Sequence, residues 1–190
     1  MKIINLAAFC AALLTFNITG TALAQTKDGK SNTPAFTFAG TSYFHRYTTG
    51  EQHEHTPAGQ EDLKAWTDMV TLHYYRNAKD GDALAAVANS VLGNYTAHKA
   101  KVIRTDSIPR TKDRPAEHLI VVAFGRPEFI EIAFSRFRMH QGIGTSVIYS
   151  RRVYGKGVGN QMSEWLKQNG AAIEKTLLSW DEMPKWPYKK

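Results

Sequence analysis

The stretch "HLIVVAFGRPEFIEIAFSRFRMHQGIGTSVIYSRRVYG", residues 118–155, decides how the rest of this chain is read. Three runs rich in β-branched and aromatic residues are separated only by "GRPE" and "HQGIG". Pro127 suits a turn and cannot donate to a sheet ladder. Links this short join antiparallel neighbours, because a parallel crossover needs about a dozen residues or more. The first run is apolar without a break, the pattern of a strand covered on both faces. If "HQGIG" sets the register, Glu131 falls opposite Arg152 as a cross-strand ion pair, and Arg136 and Arg138 share one face near the turn.

Upstream, "KVIRTDSIP" (101–109) reads as a fourth strand of this half, followed by the charged loop "RTKDRPAE". Before it, "DGDALAAVANSVLGNYTAHKA" (80–100) carries Leu84, Val87, Ala88, Val91, Leu92 and Tyr95 at helical spacing. Asp80 or Asp82 can cap this helix by accepting from its first backbone N–H groups. "AFTFAGTSYFHRY" (35–47) reads as a first strand bent at Gly40, and residues 66–75 of "DLKAWTDMVTLHYY" as a second. The intervening "TTGEQHEHTPAGQ" (48–60) reads as a turn or loop, since its His, Glu and Gln side chains suit solvent. Downstream, Met162, Trp165, Leu166, Ile173, Leu177 and Trp180 stay in phase across Gly170 and predict a closing helix over 159–180. Trp66, Trp165 and Trp180 are expected in the core. The order β-β-α-β-β-β-β-α predicts one α+β domain over residues 35–183, a mainly antiparallel sheet packed by two amphipathic helices.

The start of the chain reads as an address. Met1-Lys2, the apolar "IINLAAFCAALLTFNI" and the small-residue "TALA" predict a signal peptide cleaved after Ala24. A disordered lead-in (25–34) and a basic tail (184–190) flank the domain. The one cysteine, Cys10, lies in the signal, so the mature chain is expected to hold no disulfide despite an oxidising destination. Periplasmic or secreted localisation follows, with no transmembrane segment in the mature chain. The formal charge of +7 is spread through 24 Lys and Arg interleaved with 17 Asp and Glu. That pattern reads as a solvated basic surface, and an exported location argues against nucleic acid.

This element order resembles the PsbP/Mog1-like architecture, an antiparallel sheet sandwiched by helices. The phrases "TPAGQEDLKAWTDMVTL" (56–72) and "AFGRPEF" (123–129) also resemble small secreted or periplasmic proteins of Gram-negative bacteria. The resemblance implies binding or accessory work more than catalysis, with another protein or an envelope component as partner. It carries no site residue to this chain.

Three groups of residues invite a functional reading. His53 and His55, two apart, would project from one face of a strand. With His45 across a hairpin closed by "TTG" they would offer imidazole ligands to zinc or copper. Arg136, Arg138, Arg151 and Arg152 fall on consecutive strands of one hairpin and, with Arg126 and Arg110 nearby in sequence, would make a patch for an anion or an acidic partner. Ser42, His73 and Asp68 supply nucleophile, base and acid types, but no "GxSxG" or "HExxH" spacing selects them. "GKGVGN" (155–160) lacks the third glycine of a dinucleotide fingerprint and the Walker Lys-Ser/Thr pair, and reads as a flexible connection. The expectation is an exported binding or accessory domain without catalysis; a zinc or copper protein built on the three histidines is the alternative.

Overall fold

The computed structural model describes residues 33–184. The expected signal peptide, nearly all of the lead-in and the last six residues of the tail lie outside the described residues. Over the described residues the domain is α+β, with one eight-stranded antiparallel sheet and two helices. In chain order these are β1 (Phe36–Phe38), β2 (Thr41–Thr49), β3 (Gln52–Pro57), β4 (Asp68–Tyr75), α1 (Gly81–Ala97), β5 (Lys101–Ile108), β6 (Glu117–Gly125), β7 (Phe129–His140), β8 (Ile143–Tyr154) and α2 (Gly159–Ser179). The sheet order is β1-β2-β3-β4-β8-β7-β6-β5. Both halves are meanders, and β4 against β8 joins them.

Two strands exceed the sequence expectation. Ala39 and Gly40 both take positive φ (49° and 76°), so the expected first strand folds back as a two-residue hairpin instead of bending. The segment expected to be a loop contains β3, whose residues 52–56 are all buried between β2 and β4. Its polar side chains find partners inside the sheet, so composition alone gave the wrong environment.

The long hairpin forms as expected. Gln141 and Gly142 turn with φ of 53° and 77°, and Glu131 lies opposite Arg152 in register. Alternation then sorts side chains onto two faces. One face carries Phe38, Leu72, Tyr74, Val121, Phe134 and Tyr149 against Met162, Leu177 and Trp180 of the α2 side. The other carries Ile120, Val122, Phe124, Phe137 and Ile148 against Leu84, Ala88, Val91 and Tyr95 of α1. Each large side chain buried this way contributes about 1.5–3 kcal/mol. Asp80 caps α1, accepting from Ala83 N at 2.8 Å. Trp66 and Trp180 are buried, and Trp165 packs against the α2-side core. None of the described helices is long and apolar enough to cross a membrane.

The C-terminal end of α2 is held from the sheet. Arg136, 4% exposed, donates from Nη1 to the carbonyls of Leu177 and Trp180, both at 2.9 Å, and from Nε to Glu117 at 2.7 Å. A guanidinium thus meets the negative pole of the helix and its orphan carbonyls. Trp180 Nε1 in turn donates to Thr37 O at 2.9 Å, fixing β1 to the end of α2. Replacing Arg136 by Met strips Glu117 and both carbonyls of their donor. Urea denaturation of Arg136→Met should show a loss of about 2–4 kcal/mol, with Arg136→Lys losing less.

Candidate functional site

β3 is where the polar interior begins. Along Gln52-His53-Glu54-His55-Thr56, alternation sends the two histidines to the α2 face and Gln52, Glu54 and Thr56 to the α1 face. His45 on β2 is the register partner of His55, so the three histidines expected to meet do share one face. Ring centroids lie 5.4 Å (His45–His55) and 6.1 Å (His45–His53) apart. Thr48 Oγ1 bridges His45 Nε2 (2.7 Å) and His53 Nδ1 (2.9 Å), while His55 Nδ1 donates to Val70 O at 3.2 Å. Phe36 packs against the His55 ring at 4.8 Å between centroids. These hydrogen bonds engage one nitrogen of each ring, and aromatic packing orients His55. Among the described residues no group of three or more His, Cys, Asp or Glu side chains is placed to hold a metal ion.

On the α1 face, Glu54 is 5% exposed and Glu131 and Arg152 are 2% and 4% exposed. Arg152 Nε donates to Glu131 Oε2 at 2.8 Å, and its guanidinium lies over Trp66 (3.9 Å) and Phe129 (4.2 Å). This buried ion pair therefore has an aromatic sleeve, which favours the cation where water is excluded. Glu131 Oε1 has no hydrogen-bond partner among the described residues. Glu54 accepts from Gln52 Nε2 at 3.2 Å. Burial pushes the Glu54 carboxyl up to about 7, with Gln52 and Arg152 opposing the rise and Glu131 adding to it.

The five arginines do not form one surface. Arg136 and Arg138 both reach Trp180 O on the α2 side, as their shared face predicts, and Arg138 also pairs with Asp181. Arg151 pairs with Asp68 at 2.6 Å and lies over Trp165. Arg152 points to the opposite face, and Arg126 lies over Phe124. The serine-type triad is also separated. Asp68 accepts from Tyr149 and Arg151 on the α2 face, whereas His73 stacks on Tyr75 (centroids 4.3 Å apart) on the α1 face. Ser42 is exposed on β2.

One feature at the end of the sheet went unrecognised in the sequence. All eight residues of β5 are exposed, including Val102 (39%), Ile103 (44%) and Ile108 (41%). Among the described residues β5 pairs with β6 on one side and ends the sheet on the other. Beside it, Ile103, Val121, Phe134, Leu166 and Leu178 line a groove of about 640 Å³ between β5, β6, β7 and α2, rimmed by Arg104, Glu174 and Lys175. Gly170 helps shape it, since a Cβ there would come within 2.8 Å of Leu166 Cδ1. The signal was present in "KVIRTDSI": charged residues interrupt its apolar ones, as on edge strands.

No family model and no curated protein matches the chain. Among solved structures it is similar to human STARD10 over 73% of this chain and 74% of that one, at 11% identity. The TM-score of 0.28 is too small to bear on fold family or ligand.

The buried titratable groups oppose one another with pH. Burial lowers His55 from 6.5 to about 3, reinforced by His45 and His53, and lowers His73 to about 4. Unfolded histidines accept protons that the folded ones refuse, so stability should fall as pH drops below 6.5 toward these values. Glu54 acts in the other direction. Its unfolded carboxyl releases a proton from pH 4.5 upward while the folded one retains it to about 7, so its contribution worsens across that window. Denaturant titrations should show Glu54→Gln matching the wild type near pH 4 and exceeding it by on the order of 3 kcal/mol at pH 8.

Proposed function

We propose that the protein is an exported, non-catalytic binding domain of the bacterial cell envelope that takes up an extended polypeptide segment along β5. The observation that carries this reading is the exposure of all eight β5 residues at the outer edge of the sheet. An edge strand presents backbone N–H and C=O groups to an incoming strand, and main-chain hydrogen bonds then supply affinity while side-chain pockets supply selectivity. The groove lined by Ile103, Val121, Phe134 and Leu166 is such a pocket, contiguous with the edge. Arg104, Glu174 and Lys175 at its rim favour a segment with matching charges. The "TALA" cleavage pattern and the apolar stretch before it support export. The split of Asp68 and His73 between faces supports binding over acid-base catalysis.

Fluorescence anisotropy with a set of labelled peptides of alternating apolar and charged residues tests the edge. Ile103→Lys places a charge in the groove without touching the core, and should weaken the best peptides at least tenfold with the circular dichroism spectrum unchanged. Equal affinity for both proteins, or no peptide bound by either while both are monomeric, overturns the reading.

A further inference from the structure

We infer that the strand received by β5 is the β5 of a second copy of this chain, paired antiparallel about a two-fold axis at Thr105; this rests on the edge-binding reading. The argument is charge complementarity of the strand with itself. In an antiparallel pair, residues directly opposite share a face and interact. With the axis at Thr105, each Thr105 meets its copy, and Arg104 of either chain stands opposite Asp106 of the other. An axis at Arg104 would set arginine against arginine, and one at Asp106 carboxylate against carboxylate. An axis half a residue to either side of Thr105 would set Thr105 opposite Arg104 or Asp106, which lie on the other face of the strand, so an antiparallel ladder does not form there. Of the three axes through Arg104, Thr105 and Asp106, the one at Thr105 therefore matches opposite charges twice.

The local structure is prepared for it. Arg104 and Asp106 already face the same side of β5, opposite Val121 and Leu119 in register, and their side chains meet at 2.7 Å. Arg104 also reaches Glu174 of α2 at 2.9 Å. Joining two copies turns this pair into an alternating quartet of charges across the axis. Val102, Ile103 and Ile108, each more than a third exposed, flank that centre and would be covered. The ladder irregularity between Val102 and Arg104 leaves the regular run starting at Arg104, so the charged centre itself lies in regular strand. At the far end, β1 has three residues and offers a much shorter edge, so assembly stops at two copies instead of running on into a fibre.

Sedimentation velocity over a concentration series reads the assembly. Wild type should dimerise; Arg104→Asp and Asp106→Arg, each alone, should sediment as monomers because like charges then face each other. Mixing these two variants restores both opposite-charge contacts and should give a heterodimer, and the double variant Arg104→Asp/Asp106→Arg should dimerise with itself. A monomeric wild type that still binds peptides through the edge overturns the second copy and leaves the edge reading intact. A monomeric wild type without peptide binding overturns both. Dimers that survive either single charge reversal, or a mixture that stays monomeric, overturn this register.

Discussion

β7 and β8 run beside each other for twelve residues each in one unbroken antiparallel register, and the remainder of the molecule is positioned from that hairpin. A slip of one residue would exchange its two faces completely. Phe134 and Tyr149 would leave the α2 core, Phe137 and Ile148 would leave the α1 core, and each helix would meet the wrong stripe. Parity along these strands also places the charges. Arg136 emerges toward α2, where it holds the last turn, while Arg152 emerges on the other side into its sleeve of Trp66 and Phe129. Two arginines of similar appearance in sequence thereby take on opposite positions.

The features legible in the sequence were those set by period and turn length. The meander, both helices, the cap at Asp80 and the pairing of Glu131 with Arg152 follow from apolar spacing and short links. β3 was illegible for a physical reason. A strand made of Gln, His, Glu, His and Thr resembles a solvated loop, because burial of such residues depends on partners supplied by β2 and β4. The break at Ala39-Gly40 looks in the sequence like a bulge or bend at Gly40, since alanine gives little warning of a left-handed backbone. For the candidate sites, the clustering of His45, His53 and His55 was readable from the i, i+2 spacing. The engagement of their rings by Thr48, Val70 and Phe36 was not, because it depends on contacts across strands. The open β5 edge needed the sheet order, which sequence spacing does not reveal.

The polar interior has an energetic character of its own. Groups such as Glu54, His55 and the Glu131–Arg152 pair cost free energy to bury and recover it through hydrogen bonds and aromatic contacts, with little net gain. What they contribute is a sharp preference for one arrangement. A mispaired β3 would strand a carboxyl or an imidazole without its neighbour, so the penalty for the wrong register is larger than the reward for the right one. This gives the central strands specificity that their modest hydrophobicity could not.

The junction of the two half-sheets has a consequence for how the molecule comes into being. β4 pairs along its whole length with β8, the last strand among the described residues, and the indole of Trp180 ties the C-terminal end of α2 back to Thr37. During synthesis from the N-terminus, the first four strands are complete long before their partner exists. Their inner border, with Val70, Leu72 and Tyr74 beside it, stays open until some seventy more residues have emerged. Such delayed long-range closure makes folding slow and leaves the nascent half exposed to unwanted association. In a chain built this way the central border of the sheet is covered only when β8 and α2 have arrived, so the last-made segments complete the fold.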